Sequence, residues 1–395
     1  MFRCVTEISI QQVTNGRNKL LSFDFVNKFD ATDTWVDLTN QATITFPKNM
    51  YVRDENGKLF PLQGLNKNIG GFDANTPLFL KGDKVTIAFG YRYFDKIGNE
   101  IKETSTIFTG FISEVTSKKP IELKCEDNMW QLKQIAAPNK VYSASTTWEN
   151  ILRDLLKGTP YTVNALTSTT LGNFRILNET VCQVIERVRK DYHLEAYFRG
   201  NELRCGSKVY IDSDNVDKNG NPIVKTFKFQ QNIISDDLMY KRKDDVILSA
   251  IVYSVNKFEL QGLTKNGRKR TGSERLEILI YNDKGTFKYV KKEKGKDLPA
   301  NVQGERRTLY FWNVDNVTDL FNKGVDELKK YYYTGFKGKF TTFAIPYVRQ
   351  GDNIDIIDPI LPERNGRYKV KGVEYEGGVG GHRQTIILDY QIKTL

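Results

Sequence analysis

The chain has little of what most enzymes work with. Two histidines, His193 and His382, occur in 395 residues, far apart in sequence. No HExxH pair, nucleophile elbow, phosphate loop or dinucleotide fingerprint is present. Four cysteines, Cys4, Cys125, Cys182 and Cys205, are too scattered for a metal or redox motif. They read as small buried hydrophobes in a reducing cell, and no disulfide is expected. No apolar run approaches the length that spans a bilayer, and the start MFRCVTEISI lacks a signal-peptide core. The expectation is a chain made in the cytoplasm, with no membrane span, no cofactor, no metal site and no catalytic residue.

Acidic residues are outnumbered, and the formal net charge is +11. Much of the excess falls in the stretch 257–307, where Lys265, Arg268, Lys269, Arg270, Lys291, Lys292, Lys294 and Lys296 crowd into two glycine-bearing segments. Such clusters are usually solvated loop tips. The sharper reading is a contact surface for a polyanion or an acidic partner. Neither segment carries the interleaved aromatics of a base-stacking platform, which argues against sequence-specific nucleic-acid binding. The carboxylate pairs Asp236-Asp237 and Asp244-Asp245 have the residue types of a glycosidase acid and base, but solvated turns explain them more simply. Asp212, Asp214, Asp217 and Gly220 resemble a calcium loop that lacks its terminal Glu.

What is present is strand periodicity, and one β-module that occurs twice. The first copy reads Leu80-Lys81-Gly82-Asp83-Lys84-Val85-Thr86-Ile87, then 107–115 (IFTGFISEV), then 121–125 (IELKC). The second reads 348–356 (VRQGDNIDI), then 368–376 (YKVKGVEYE), then 385–390 (TIILDY). In both, a Gly-Asp turn opens a strand of period two, with Val85 and Ile87 or Ile354 and Ile356 on the buried face. Gly110 and Gly372, inside the second strands, are expected to mark a bend or a close backbone approach. Duplication of this kind suits a ring subunit better than an enzyme.

Hydrophobic residues make up 39% of the chain and aromatics 12%, enough for the two or three cores that its length suggests. Residues 1–135 alternate throughout, as at Leu20–Val26 and Ala42–Phe46, and read as a first barrel-like β domain ended by a helical turn near Asp127–Leu132. Residues 136–205 change period. Thr146 with Glu149, and Thr180 with Gln183, look like capping boxes, each followed by a helical apolar stripe. Gly200-Asn201 then joins a tight hairpin. Residues 206–395 are read as a second barrel-like domain carrying the basic insertion 257–307 and a long helix over 316–333. His193 ends the second helix of the insert, where a cation complements the dipole. The predicted class is mainly β, with two similar tube-like β-barrel domains and a small α/β insert.

The phrases GDKVTIAFGY, IFTGFISEV and IELKCEDNMWQLK (82–133), NETVCQVIERVRKDYHLEAYFRGNELRCG (178–206) and GFKGKFTTFAIPYVRQGDNIDI (335–356), in this order, resemble the tail-hub family of phages and contractile injection machines. That family includes late-control D proteins and the hub part of type VI spike proteins. The resemblance covers most of the chain and carries no catalytic signature. It implies a homotrimer whose six similar domains adapt a six-fold tail tube to a three-fold spike. The implied partners are the tail tube protein, a separate spike or needle protein and other baseplate proteins, with transient passage of DNA, in a virion tail or injection apparatus. Type VI spike proteins continue into a β-helical needle, so here the needle is expected to be a separate polypeptide. Two other functions stay open: a tail-associated carbohydrate or peptidoglycan hydrolase, and a non-specific nucleic-acid-binding β protein.

Overall fold

The computed structural model describes residues 3–395 except 49–50, 54–58, 62–76, 117–119, 166–168, 207–215, 217–218, 221–222, 264–268, 284, 294, 300–301, 303, 313 and 315. The chain begins with β1 (Arg3–Gln11), β2 (Leu20–Phe23), β3 (Lys28–Thr34) and β4 (Gln41–Thr45). A two-stranded excursion follows, β5 (Tyr51–Arg53) with β6 (Leu59–Pro61), then β7 (Lys84–Phe94), β8 (Glu100–Val115) and β9 (Glu122–Glu126). Their order in the sheet is β3-β4-β9-β8-β7-β1-β2. Alternation places Ile8, Ile10, Ile44, Val85, Ile87 and Leu123 at 1% exposure or less. Each such side chain contributes about 1.5–3 kcal/mol of burial.

The insert comprises α1 (Met129–Gln134), β10 (Lys140–Tyr142), α2 (Trp148–Leu155), β11 (Thr162–Ala165), β12 (Phe174–Ile176), α3 (Val181–Tyr192), β13 (Glu195–Arg199) and β14 (Glu202–Gly206). The capping box of α3 is as the sequence predicts: Gln183 N–H donates to Thr180 Oγ1 at 3.2 Å, and Thr180 N–H donates to Gln183 Oε1 at 2.8 Å. The α2 cap is Thr147, not Thr146, because Asn150 N–H donates to its hydroxyl. Both helices bury their stripes in a second core of their own, around Trp148, Phe174, Val184 and Ile185.

The chain continues through β15 (Val224–Lys228) and β16 (Ile233–Lys241), then builds a separate sheet from β17 (Leu248–Leu263), β18 (Lys269–Asp283), β19 (Thr286–Lys291) and β20 (Glu305–Trp312), ordered β19-β18-β17-β20. Helix α4 (Val317–Lys329) lies on it, and Leu320 and Leu328 meet Ala250, Val252, Ile278 and Ile280 in a third core. This helix is shorter than the 316–333 expectation. Asn316 is its cap, and residues past Lys329 turn away toward β21 (Gly335–Phe343). Strands β22 (Asn353–Ile357), β23 (Gly366–Gly378) and β24 (Arg383–Thr394) complete the chain.

The two copies share a strand order. β16-β21-β24-β23-β22-β15 repeats β3-β4-β9-β8-β7-β1. The equivalence extends to single residues. Gly82 N–H donates to Ile112 O and Ile112 N–H to Asp83 O; in the second copy Gly351 N–H donates to Val370 O and Val370 N–H to Asp352 O. Both turn glycines have positive φ, +95° and +79°, which a side chain resists. A β-bulge then falls at the same station, between Ile112 and Glu114 against Cys125 and Lys124, and between Val370 and Gly372 against Leu388 and Ile387. The copies differ in the direction of one pair: β1 runs antiparallel to β7, whereas β15 runs parallel to β22. Among the described residues neither strand path closes on itself by a ladder.

This register corrects the pairing of Gly110 with Gly372. Gly372 matches Glu114, and Gly110 matches Tyr368. Gly110 does mark a close approach, since a Cβ there would stand 2.0 Å from Glu126 O. The cysteine reading is also corrected at one position: Cys4 is exposed, while Cys125, Cys182 and Cys205 are buried, and all four are free.

Candidate assembly surface

The two copies are joined edge to edge within the chain. β3 and β23 pair antiparallel from Gly372 opposite Thr34 to Gly378 opposite Lys28, so one hydrogen-bonded path runs from β16 through to β2. Lys28 Nζ reaches Asp30 at 2.9 Å and Glu376 at 3.3 Å across this seam. His382, fully buried, contacts Thr6 Oγ1 at 2.9 Å and Gly90 O at 3.0 Å, and its carbonyl accepts from Tyr91 Oη at 3.2 Å. Burial holds its imidazole below the usual histidine range. Residues of the two copies share one continuous core.

A cleft of about 260 Å³ lies where both copies meet the insert, lined among others by Asp33, Asp127, Arg199, Tyr347 and Arg349. Burial raises the Asp33 carboxyl above its ordinary range against the pull of the Arg199 and Arg349 guanidiniums, and Gln350 N–H donates to it at 3.1 Å. Arg199 in turn donates to Gln350 O at 2.9 Å. Burial pushes Asp127 up to about 7; its two oxygens accept from Asn40 N–H and Met129 N–H, each at 2.9 Å. These carboxylates hold backbone in place: Asp127 ties α1 to the start of β4, and Asp33 ties β3 to the turn before β22. No sequence motif links positions 33, 127, 199 and 349, so residue types and spacing alone do not reveal them.

The basic candidates separate into two groups. Lys265, Arg268 and Lys294 lie outside the described residues, as do Asp212, Asp214 and Asp217. Lys269 and Arg270 open β18, opposite Leu263 and Leu260, at the far end of the β17–β18 hairpin. Lys291 ends β19 opposite Ile278, with Lys292 and Lys296 exposed just beyond. Lys292 pairs with Glu277 at 3.3 Å and Lys296 with Glu293 at 2.6 Å. Position 269 is nine residues along β18 from position 278, roughly 30 Å at about 3.3 Å per residue, so the strand keeps the groups apart.

Asp236 and Asp237 are exposed on β16, not in a turn. Asp245 lies in a short 3-10 turn over 243–245. His193 is the C-cap of α3 with φ 52°, and its ring stacks on Tyr310 with centroids 3.5 Å apart. Burial and the Arg275 charge lower its pKa, so it is neutral near pH 7 and does not act as the dipole-complementing cation expected. Among the described residues no group of three or more His, Cys, Asp or Glu is placed to hold a metal ion, and no helix is long and apolar enough to cross a membrane.

No family model and no curated protein matches the chain. Solved structures do. A tail protein from Neisseria meningitidis MC58 aligns over 98% of this chain and 96% of its own, at 12% identity and a TM-score of 0.51. The 43 kDa tail protein of prophage MuSo2 from Shewanella oneidensis aligns over 97% and 98%, at 11% identity and 0.50. A component of the E. coli type VI secretion system, described as similar to bacteriophage T4 tail proteins, aligns over 98% and 79%, at 10% identity and 0.46. The first two alignments run nearly end to end in both partners, so the duplicated modules and the inserted units together form the fold of phage tail proteins, the fold that the resemblance in residues 82–133 and 335–356 implies.

Proposed function

We propose that the chain is a structural hub subunit of a phage tail or related injection apparatus, and that three copies present six similar β-modules to a six-fold tube while meeting a three-fold spike. The observation that carries this reading is the duplication itself: the same strand order, Gly-Asp turn and bulge occur twice, and the two copies are already paired edge to edge through β3 and β23. A unit that contains two like modules in lateral register supplies one third of a six-membered ring, and heterologous contacts of this type close when the rotation fits. The fold shared with tail proteins supports the same assignment. Partners on this reading are a tail tube protein, a spike or needle protein and other baseplate proteins.

Mass measurement of the purified chain, alone and with a spike protein, tests the proposal. A trimer in either condition is expected. A chain that stays monomeric in both and releases sugar or peptide products from cell-wall substrate overturns it in favour of the hydrolase.

A further inference from the structure

The internal seam predicts the external one. Inside the chain, β3 lies against residues 372–378 of β23, beside the Gly-Asp turn that hands that edge over from β22. The residues equivalent to β3 are those of β16, because Asp30 pairs with Thr43 and Asp237 with Lys339, and Thr43 and Lys339 face the matched pair Lys124 and Ile387. The residues equivalent to 372–374 are Glu114, Val115 and Thr116. On that side, β7 leaves β8 after the Lys84–Phe111 pair, and among the described residues the Gly82-Asp83 turn makes its backbone bonds to β8 at Ile112; β9 takes the opposite edge. Among the described residues β16 pairs with β21 alone and ends the strand path. Its outer positions are exposed, Met239 at 68% and Ile234 at 42%, an open edge of the kind that recruits another strand.

We propose that the outer edge of β16 is completed by the β8 edge at Glu114–Thr116 of a second copy of this chain, in the register that β3 and β23 show within one copy. Lys241 then faces Glu114, Tyr240 faces Val115 and Met239 faces Thr116. The proposal deepens the hub reading and rests on it.

Charge fits the register. Lys241 Nζ donates to Tyr331 O at 2.8 Å and lies 3.8 Å from the Tyr333 ring centroid, near the charges of Arg307 and Lys337, and the Glu305 carboxylate reaches Arg307 at 3.0 Å and Lys337 at 3.6 Å. Burial and the like charges pull Lys241 down to about 8. Glu114, exposed and paired with Lys124 at 3.0 Å, brings a further carboxylate to the cationic end of β16. Opposite charges directly across a ladder stabilise it, and like charges oppose it.

The test uses the full chain in the trimeric state that the mass measurement is expected to show. Thr116→Cys with Met239→Cys, in a Cys4→Ser background, places two thiols at a directly opposed position, where cross-strand Cβ atoms are about 4.5–5.5 Å apart. Within one copy the two sites lie on strands seven steps apart along the path, and a bond that joins different copies is read directly as a covalent oligomer. Oxidation is expected to give covalent dimers and trimers. Glu114→Lys is expected to weaken association by up to about fivefold per contact, and adding Lys241→Glu to restore it. A trimer that forms no such disulfide and ignores both charge changes overturns this register and leaves the hub reading standing. Absence of any trimer overturns both.

Discussion

Arg17 and Asp83 are joined at 2.6 Å across the turn that opens the first module, with the Asp83 side chain fully buried. The same carboxylate accepts from Leu80 N–H at 3.0 Å and from Val13 and Thr14 N–H at 3.2 and 3.3 Å. Asp352 repeats the arrangement, accepting from Arg349 N–H at 3.0 Å and Lys225 Nζ at 2.7 Å. In each copy the donor of the backbone bond lies three residues before the Asp, and the cation comes from the chain at or just after the matched strand, β1 or β15. Asp83→Ala leaves a mostly buried guanidinium and several N–H groups without their acceptor. The expected loss is about 3–5 kcal/mol, read from the denaturant midpoint. Asp352→Ala is expected to fall in the same range, and no loss at either position would contradict the account of the turn.

Gly110 gives a second test. Its missing Cβ makes room for Glu126 O, at 2.0 Å from where the atom would stand, and for the Phe108 ring at 2.8 Å. Gly110→Ala therefore has to move the β8–β9 ladder, at a cost of about 1–3 kcal/mol. Gly380→Ala, with nothing within 4 Å, is the control, and it is expected to change stability by less than about 0.5 kcal/mol. Thermal unfolding of the two variants side by side separates close approach from a general intolerance of substitution.

Asp127 makes stability depend on pH. Its folded pKa of about 7 stands above the unfolded value near 3.9. Below about pH 4 both states hold the proton and the site contributes no pH dependence. As pH rises toward 7 the unfolded chain loses this proton first, and the folded state loses stability relative to it. Above the folded pKa both states are ionised and the change levels off. The difference in unfolding free energy between the protein and Asp127→Asn is therefore expected to slope between about pH 4 and 7, to the disadvantage of the protein as pH rises. A flat difference across that window would show that the two backbone N–H bonds outweigh burial.

Local structure was legible where local physics decides it. The Thr180 and Gln183 spacing specifies a capping box whatever surrounds it, and the hairpin at Gly200-Asn201 follows from its turn residues; both form as read. The Gly-Asp turns were found because positive φ and a self-bonding Asp leave a signature in two adjacent letters. Gly110 and Gly372 are alike in residue type but not equivalent in position, because backbone hydrogen bonds from the turn and the bulge fix which positions correspond. The dipole role given to His193 failed too, since residues distant in sequence, Tyr310 and Arg275, set the environment of its ring.

The sequence by itself determined the β class, the helices and hairpin of the insert, and the presence of two like modules, because period, caps and turns act over a few residues. Tertiary structure alone decided that β3 pairs with β23, that Asp33 comes under the charges of Arg199 and Arg349, and that the basic residues at 269–270 stand apart from Lys291, Lys292 and Lys296. Each of these depends on contacts between segments tens to hundreds of residues distant, where the strand edge that remains open is a property of the whole sheet and not of any stretch of chain.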